Sequence, residues 1–195
     1  MDTGYGRTGF ERQQGFTLIE QILVGLVAVT LGCMAAPALG TLLSRSRLQT
    51  AQLDLLSALH HARALAAMTG RRTMLCTSRD GLQCADDVHW EGGWLIGHYR
   101  TSQTSHIEGK PLFTGPGHET LTIVSTSGRR RVRFQNDGSA RGSNVTFTLC
   151  HRGRADGAIS LIVSNAGRID SRAVTDEQAR QCARAGQAPG ITQAD

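Results

Sequence analysis

From Ile22 to Leu43 the chain runs for 22 residues without one charged side chain. No other stretch restricts the fold so severely. Coiled as an α-helix at about 1.5 Å per residue, the run spans roughly 33 Å, close to the hydrocarbon thickness of a bilayer. An ordinary secretory signal has a shorter apolar region with its cleavage site beyond it. Here the polar, glycine-rich Met1–Gly15 precedes the run, and the plausible cut lies before it, so the apolar segment is expected to be kept. Pro37 interrupts the run; proline removes one backbone hydrogen bond and clashes with the preceding turn, which predicts a kink.

Past Arg45 and Arg47 the helical pattern turns amphipathic. Leu48, Ala51, Leu55, Leu59, Ala62 and Ala66 recur at steps of three and four, with Gln49, Gln52 and Arg63 elsewhere around the wheel. Gly70 is the expected stop, since glycine tolerates the left-handed turn that ends helices. Beyond it, short β-branched and aromatic runs alternate with turn residues. The predicted strands are Thr73–Thr77, Trp94–Tyr99, Thr120–Ser125, Val132–Gln135, Val145–Cys150, Ile159–Ser164 and Arg168–Val174. Asp80-Gly81, Gly92-Gly93, Gly115-Pro116-Gly117, Asp137-Gly138, Asp156-Gly157 and Asn165-Ala166-Gly167 read as turns. The tail from Gln178 reads as polar and loose apart from Cys182. Trp90 and Trp94 are expected to pack in the core or under a loop.

Cys33 falls in the apolar run and reads as a free, buried thiol. Cys76, Cys84, Cys150 and Cys182 form an even set in the segment expected to be exported, where two disulfides are the natural reading. Three pairings exist. The short loop around Arg79-Asp80-Gly81 favours Cys76–Cys84, leaving Cys150–Cys182; reduced thiols are the alternative. No pair has tight zinc-ligand spacing. The seven histidines show no metal spacing either, and His60 and His61 point to different faces of one helix, so no metal and no cofactor are expected. No nucleophile motif frames the serines, so the sequence does not read as an enzyme.

The formal charge is +5, and Lys110 is the only lysine. Arg129, Arg130, Arg131, Arg133, Arg141, Arg152, Arg154, Arg168 and Arg172 face only Asp137, Asp156 and Asp170 over the same stretch, a local excess of six. Such a surface suits phosphates, through counterion release and forked hydrogen bonds; the alternative is a solvated arginine-rich face.

Gly15-Phe16-Thr17-Leu18-Ile19-Glu20, set against an apolar helix, resembles the class III signal of type IV pilins and type II secretion pseudopilins. Leu48-Gln49-Thr50-Ala51, Leu75-Cys76-Thr77-Ser78, Gly93-Trp94, Thr146-Phe147-Thr148-Leu149-Cys150 and Val163-Ser164-Asn165-Ala166-Gly167-Arg168 are similar to the GspH/FimT group of minor pilins. The resemblance implies an α+β pilin-like fold: a long N-terminal α-helix, its first half transmembrane, followed by an antiparallel β-sheet globular domain. It divides the chain into a leader 1–15, an assembly helix 16–44, an amphipathic continuation 45–69, a periplasmic domain 70–177 and a tail 178–195.

The same resemblance implies that a prepilin peptidase cuts between Gly15 and Phe16 and methylates the Phe16 amine. Glu20 would pair with that amine on a neighbouring subunit during assembly, an attraction strengthened by low dielectric. The implied partners are other major and minor pilins or pseudopilins, the peptidase and the inner-membrane assembly platform. The implied location is the inner membrane, single-pass, and then a pilus or pseudopilus. The FimT branch is associated with double-stranded DNA capture through a Gly-Arg-x-Arg motif. Here the match is Gly167-Arg168-Ile169-Asp170, with an acid where the second arginine would stand and Arg172 two residues further on. Arg168, Arg172 and Arg129–Arg131 with Arg133 are the candidate DNA-binding residues.

Overall fold

The structure, a computed structural model, describes residues 17–102 and 105–187; the side chains at 33–39, 41 and 127 also lie outside it. Two compact units divide at Ser44. Helix α1 (Leu18–Thr69) runs through both, position 37 included. It stops where expected: Gly70 takes φ 63°, a left-handed turn that costs glycine little.

In the first unit, the described large apolar side chains of α1 are exposed, from Leu18 at 77 % to Leu31 at 63 %, beside the polar Glu20, Gln21 and Thr30. Among the described residues no helix is long and apolar enough to cross a membrane. Residues 33–39, from the middle of the uncharged run, lie outside the described side chains, as does the Pro37 ring.

In the second unit, Leu48, Ala51, Leu55, Leu59, Ala62 and Ala66 of α1 are buried, the full predicted stripe, joined by Ala58. This stripe shares one core cluster with side chains from two antiparallel sheets. The first sheet has the order β3-β2-β1-β5, from β1 (Thr73–Thr77), β2 (Trp94–His98), β3 (Phe113–Gly115) and β5 (Arg131–Phe134). The second has the order β4-β6-β7-β8, from β4 (Leu121–Ser125), β6 (Val145–His151), β7 (Ile159–Val163) and β8 (Ile169–Arg172). Period-two alternation sends Val145, Phe147 and Leu149 of β6 into one core with the helix stripe. Trp90 packs edge-to-face on Phe147, ring centroids 4.9 Å apart, and its indole N–H donates to the Arg129 carbonyl. Full burial of each such large side chain contributes at most about 3 kcal/mol. Loop contacts add polar ties: His118 stacks on Trp94, and its Nε2 lies 3.1 Å from Asp54 Oδ2 on α1, within ion-pair reach though outside hydrogen-bond alignment.

Two expectations need correction. Gly115 was expected in a turn, yet Phe113–Gly115 form β3, pairing Trp94 with Gly115. The indole of Trp94 lies so close over Gly115 that any side chain there would collide with it; glycine here serves packing rather than turning. The tail is also more ordered than its polarity suggests. Asp176–Ala185 form helix α2, begun by a capping box in which Thr175 and Gln178 bond each other's backbone N–H. Cys182 and Ala183 are its buried residues, and α2 packs on β4 and β6. The outward face of β6 is therefore covered, and Thr148 and Cys150 are buried although they alternate with the core residues.

Both disulfides form. Cys76–Cys84 joins Cα atoms 5.5 Å apart and Cys150–Cys182 joins Cα atoms 6.2 Å apart. The first closes a loop built on Asp80, whose carboxylate accepts from the Leu82 and Gln83 amides. The second ties α2 to β6.

Candidate functional site

The N-terminal signature falls on the boundary of what is described. Gly15 and Phe16 lie outside it; Thr17 and Glu20 lie within. The Gln21 N–H donates to the Thr17 carbonyl, and the Glu20 N–H reaches the Thr17 hydroxyl at 3.4 Å. Thr17 thus occupies the N-cap and Glu20 the third helical position, the Thr-x-x-Glu pattern of a capping box. A carboxylate in the first turn also faces the positive end of the helix dipole. The observed bond is the Thr17 half of that box, so Glu20 favours the helix start through the dipole, and the sequence reading missed this although the spacing was visible. Its surroundings are the exposed side chains of Leu18, Ile19, Leu23 and Val24. A Cβ at Gly25, Gly32 or Gly40 would meet nothing within 4 Å, so this chain's own fold does not require glycine there.

The arginines come from several elements. Arg131 and Arg133 lie on β5, the edge of the first sheet, and Arg168 and Arg172 lie beside or in β8, the edge of the second. Aspartates hold many of them. Arg130 reaches Asp86 at 2.7 Å and Arg131 reaches it at 3.3 Å. Arg141 pairs with Asp137, and Arg154 with Asp156. Asp137 and Asp156 are both held below their ordinary range, chiefly by Ser139, whose N–H donates to Asp137 at 2.9 Å, and by Arg154 respectively, so they stay ionised beside these cations. Arg168 Nε lies 3.8 Å from Asp170 Oδ2, as their shared strand face predicts. Asp86 is the member sequence counting overlooked, because it lies outside the arginine-rich stretch. The other four arginines are placed apart in the chain: Arg129 follows the 3-10 turn Thr126–Gly128, Arg133 lies on β5, Arg152 follows β6 and Arg172 lies on β8; attraction to surface charges of this kind is screened by salt.

Gly167, the glycine of the Gly-Arg pair, has a structural task. It adopts φ 76°, and a Cβ there would run into the Gly138 carbonyl, itself in a turn with φ 75°. The two turns are laced together: Ala140 N–H donates to Asn165 O, and Gly142 N–H to Asn165 Oδ1.

Residues 51–167, more than half of the chain, match the family model described as type II transport protein GspH. The chain belongs to the GspH family. This GspH-family chain is also similar to solved structures of the type IV minor pilin FimU from Pseudomonas aeruginosa PAO1. One crystal form aligns over 71 % of this chain and 96 % of FimU, at 27 % identity and a TM-score of 0.57. Another aligns over 69 % and 98 %, at 27 % identity and 0.54. Comparison with curated proteins finds no match. The chain is thus a type IV pilin-like protein of the GspH/FimT kind, in a family of structural pilins. The matched family region ends at Gly167, one residue before Arg168.

Proposed function

We propose that this chain is a minor pilin of a type IV pilus, cut after Gly15, methylated at Phe16 and held by residues 16–44 in the inner membrane before it joins a filament. One observation carries the reading. The described first part of α1 exposes leucine, isoleucine and valine on every side, with Glu20 in its first turn. A helix that is apolar all round needs lipid or other helices as its surroundings. A filament of such helices supplies both cover and, for Glu20, a neighbour's Phe16 amine. The β-rich unit then stands outside the membrane, which agrees with two disulfides.

The test is N-terminal sequencing of the chain from its own membranes, beside a Gly15→Leu variant. The native chain should begin at methylated Phe16, and the variant should keep its leader. A native chain starting at Met1 would refute the proposal.

The family's description as a type II transport protein favours a second reading, a minor pseudopilin of type II secretion. Deleting the gene separates the two. Loss of surface pili with normal protein secretion supports the first; retained exoproteins with normal pili support the second.

A further inference from the structure

A polar cleft of about 430 Å³ opens on the second unit where four chain segments meet. The Cys76–Cys84 loop brings Arg79, the stretch before β2 brings Asp87, His89 and Glu91, the β3–β4 connection brings Glu119, and the β6–β7 turn brings Arg152. Most of this charge is already satisfied within the chain. Asp87 accepts from the His89 N–H and from Arg79 at 2.7 Å. Glu91 has one oxygen 3.1 Å from His89 Nδ1 and the other accepting the Ile123 N–H at 3.0 Å. Glu119 and Arg152 differ: neither has an ion-pair partner among the described residues. They are opposite charges on different walls of one cleft.

Two of the four segments are stapled. Arg79 is carried within the loop closed by Cys76–Cys84. Arg152 packs against the end of α2, where a Cβ on Gly186 would meet its Cγ at 3.2 Å, and α2 is fixed by Cys150–Cys182. These two segments therefore need little ordering when a ligand arrives.

We propose that this cleft binds a short peptide with free ends, its carboxylate forked by the Arg152 guanidinium and its ammonium on the Glu119 carboxylate. A simple anion would meet Glu119 as well as Arg152, and a simple cation the reverse; a zwitterion satisfies both. The volume lies within the ordinary range for small-ligand sites, and charge-assisted hydrogen bonds supply the affinity. The inference is independent of the pilin reading, since it uses only the disulfide-bonded unit.

The test titrates isotope-labelled full-length chain in detergent micelles with triglycine, N-acetyltriglycine, triglycinamide and phosphoethanolamine, following backbone amides by NMR. Triglycine should give saturable shifts at Gly92 and Gly153 with Kd of about 1 mM or tighter. Each blocked peptide should bind at least about tenfold more weakly, the effect of losing one charge-assisted bond. Arg152→Gln should weaken triglycine but not triglycinamide, and Glu119→Gln should weaken triglycine but not N-acetyltriglycine. Lys110→Gln should change nothing. Absence of saturable shifts up to about 10 mM, or equal binding of the three peptides, overturns the proposal. Phosphoethanolamine binding as tightly as triglycine overturns the peptide assignment in favour of a lipid headgroup. If either variant disturbs amides outside the cleft, the blocked peptides, which need no mutation, decide.

Discussion

Replacing Gly167 by alanine should be among the most damaging single-methyl changes available to this protein. The backbone there sits at φ 76°. A left-handed conformation costs a residue with a Cβ about 1–2 kcal/mol relative to glycine. The methyl would also strike the Gly138 carbonyl, with Arg63 Nε only 3.3 Å away on the other side. Backbone cannot step aside as a side chain can. The turn is held by Gly167 N–H to Ser164 O at 2.8 Å and by Arg168 N–H to Ser164 Oγ at 3.1 Å, and the facing turn is bonded to Asn165. Overpacking of this kind adds roughly 1–3 kcal/mol. Gly142 is the matched control, because its φ is 72° and a Cβ there meets nothing within 4 Å. Gly142→Ala should therefore lose only the conformational part, and Gly167→Ala should exceed it by about 1–3 kcal/mol. Equilibrium urea unfolding with both disulfides oxidised reads the difference directly, provided the slope is unchanged. Equal losses in the two variants would show that the Gly138 contact is not a collision, and the structural account of Gly167 would fall.

Removing Cys150–Cys182 by paired alanines should cost about 3.5–4 kcal/mol on chain-entropy grounds, against about 2.5 kcal/mol for Cys76–Cys84, because the two bridges span 32 and 8 residues; urea midpoints decide, and the reverse order would count against the entropic account. The same Cys150–Cys182 variant should raise hydrogen exchange across Asp176–Ala185, since the capping box alone does not hold a ten-residue helix; unchanged protection would mean that packing suffices. Burial pushes the Asp87 carboxyl up, but bonds from the His89 N–H and Arg79 and their charges outweigh it and leave it below its ordinary 3.8. Its contribution is thus present above about pH 4 and lost as acid takes the pH through the lowered value; Asp87→Asn should flatten the acid limb of thermal stability, and an unaltered limb would contradict the assignment. Leu55→Ala, at a fully buried helix position, should cost about 2–5 kcal/mol in the same urea assay; a loss below about 1 kcal/mol would mean the core collapses around the gap.

The features legible in advance were those set by local periodicity. The α1 stripe, the Gly70 stop and the alternation of β6 each follow from repeats of 3.6 or 2 residues, and the short cysteine loop from its turn residues. What stayed hidden depends on residues far apart in sequence. Gly115 reads as a turn until Trp94 is seen lying on it. Asp86 does not join the arginine count until a loop folds it against β5. Helix α2 is too short and polar to announce itself by composition; its Thr175 and Gln178 box was readable, but only burial of Cys182 against β4 and β6 makes ten residues worth ordering. The polar cleft is likewise built from four segments, none of which carries a motif alone.

The Gly-Arg pair shows how a local sequence pattern can merge two unrelated demands. Gly167 is explained by φ and by the Gly138 carbonyl without any ligand, so its presence carries no information about what the surface binds. Only the following arginines could carry that information, and their electrostatics differ from what counting suggests. Asp170 sits opposite Ile162 on the edge strand, with its carboxylate turned toward Arg168. The pair is exposed and therefore weak, yet it replaces a second positive charge by a negative one, a change of two charges at a single strand position. Near an extended polyanion that difference acts on rate and salt dependence more than on the fold. The fold of this edge thus follows from glycine and strand register, whereas the balance of its surface charge rests on the identity of residue 170.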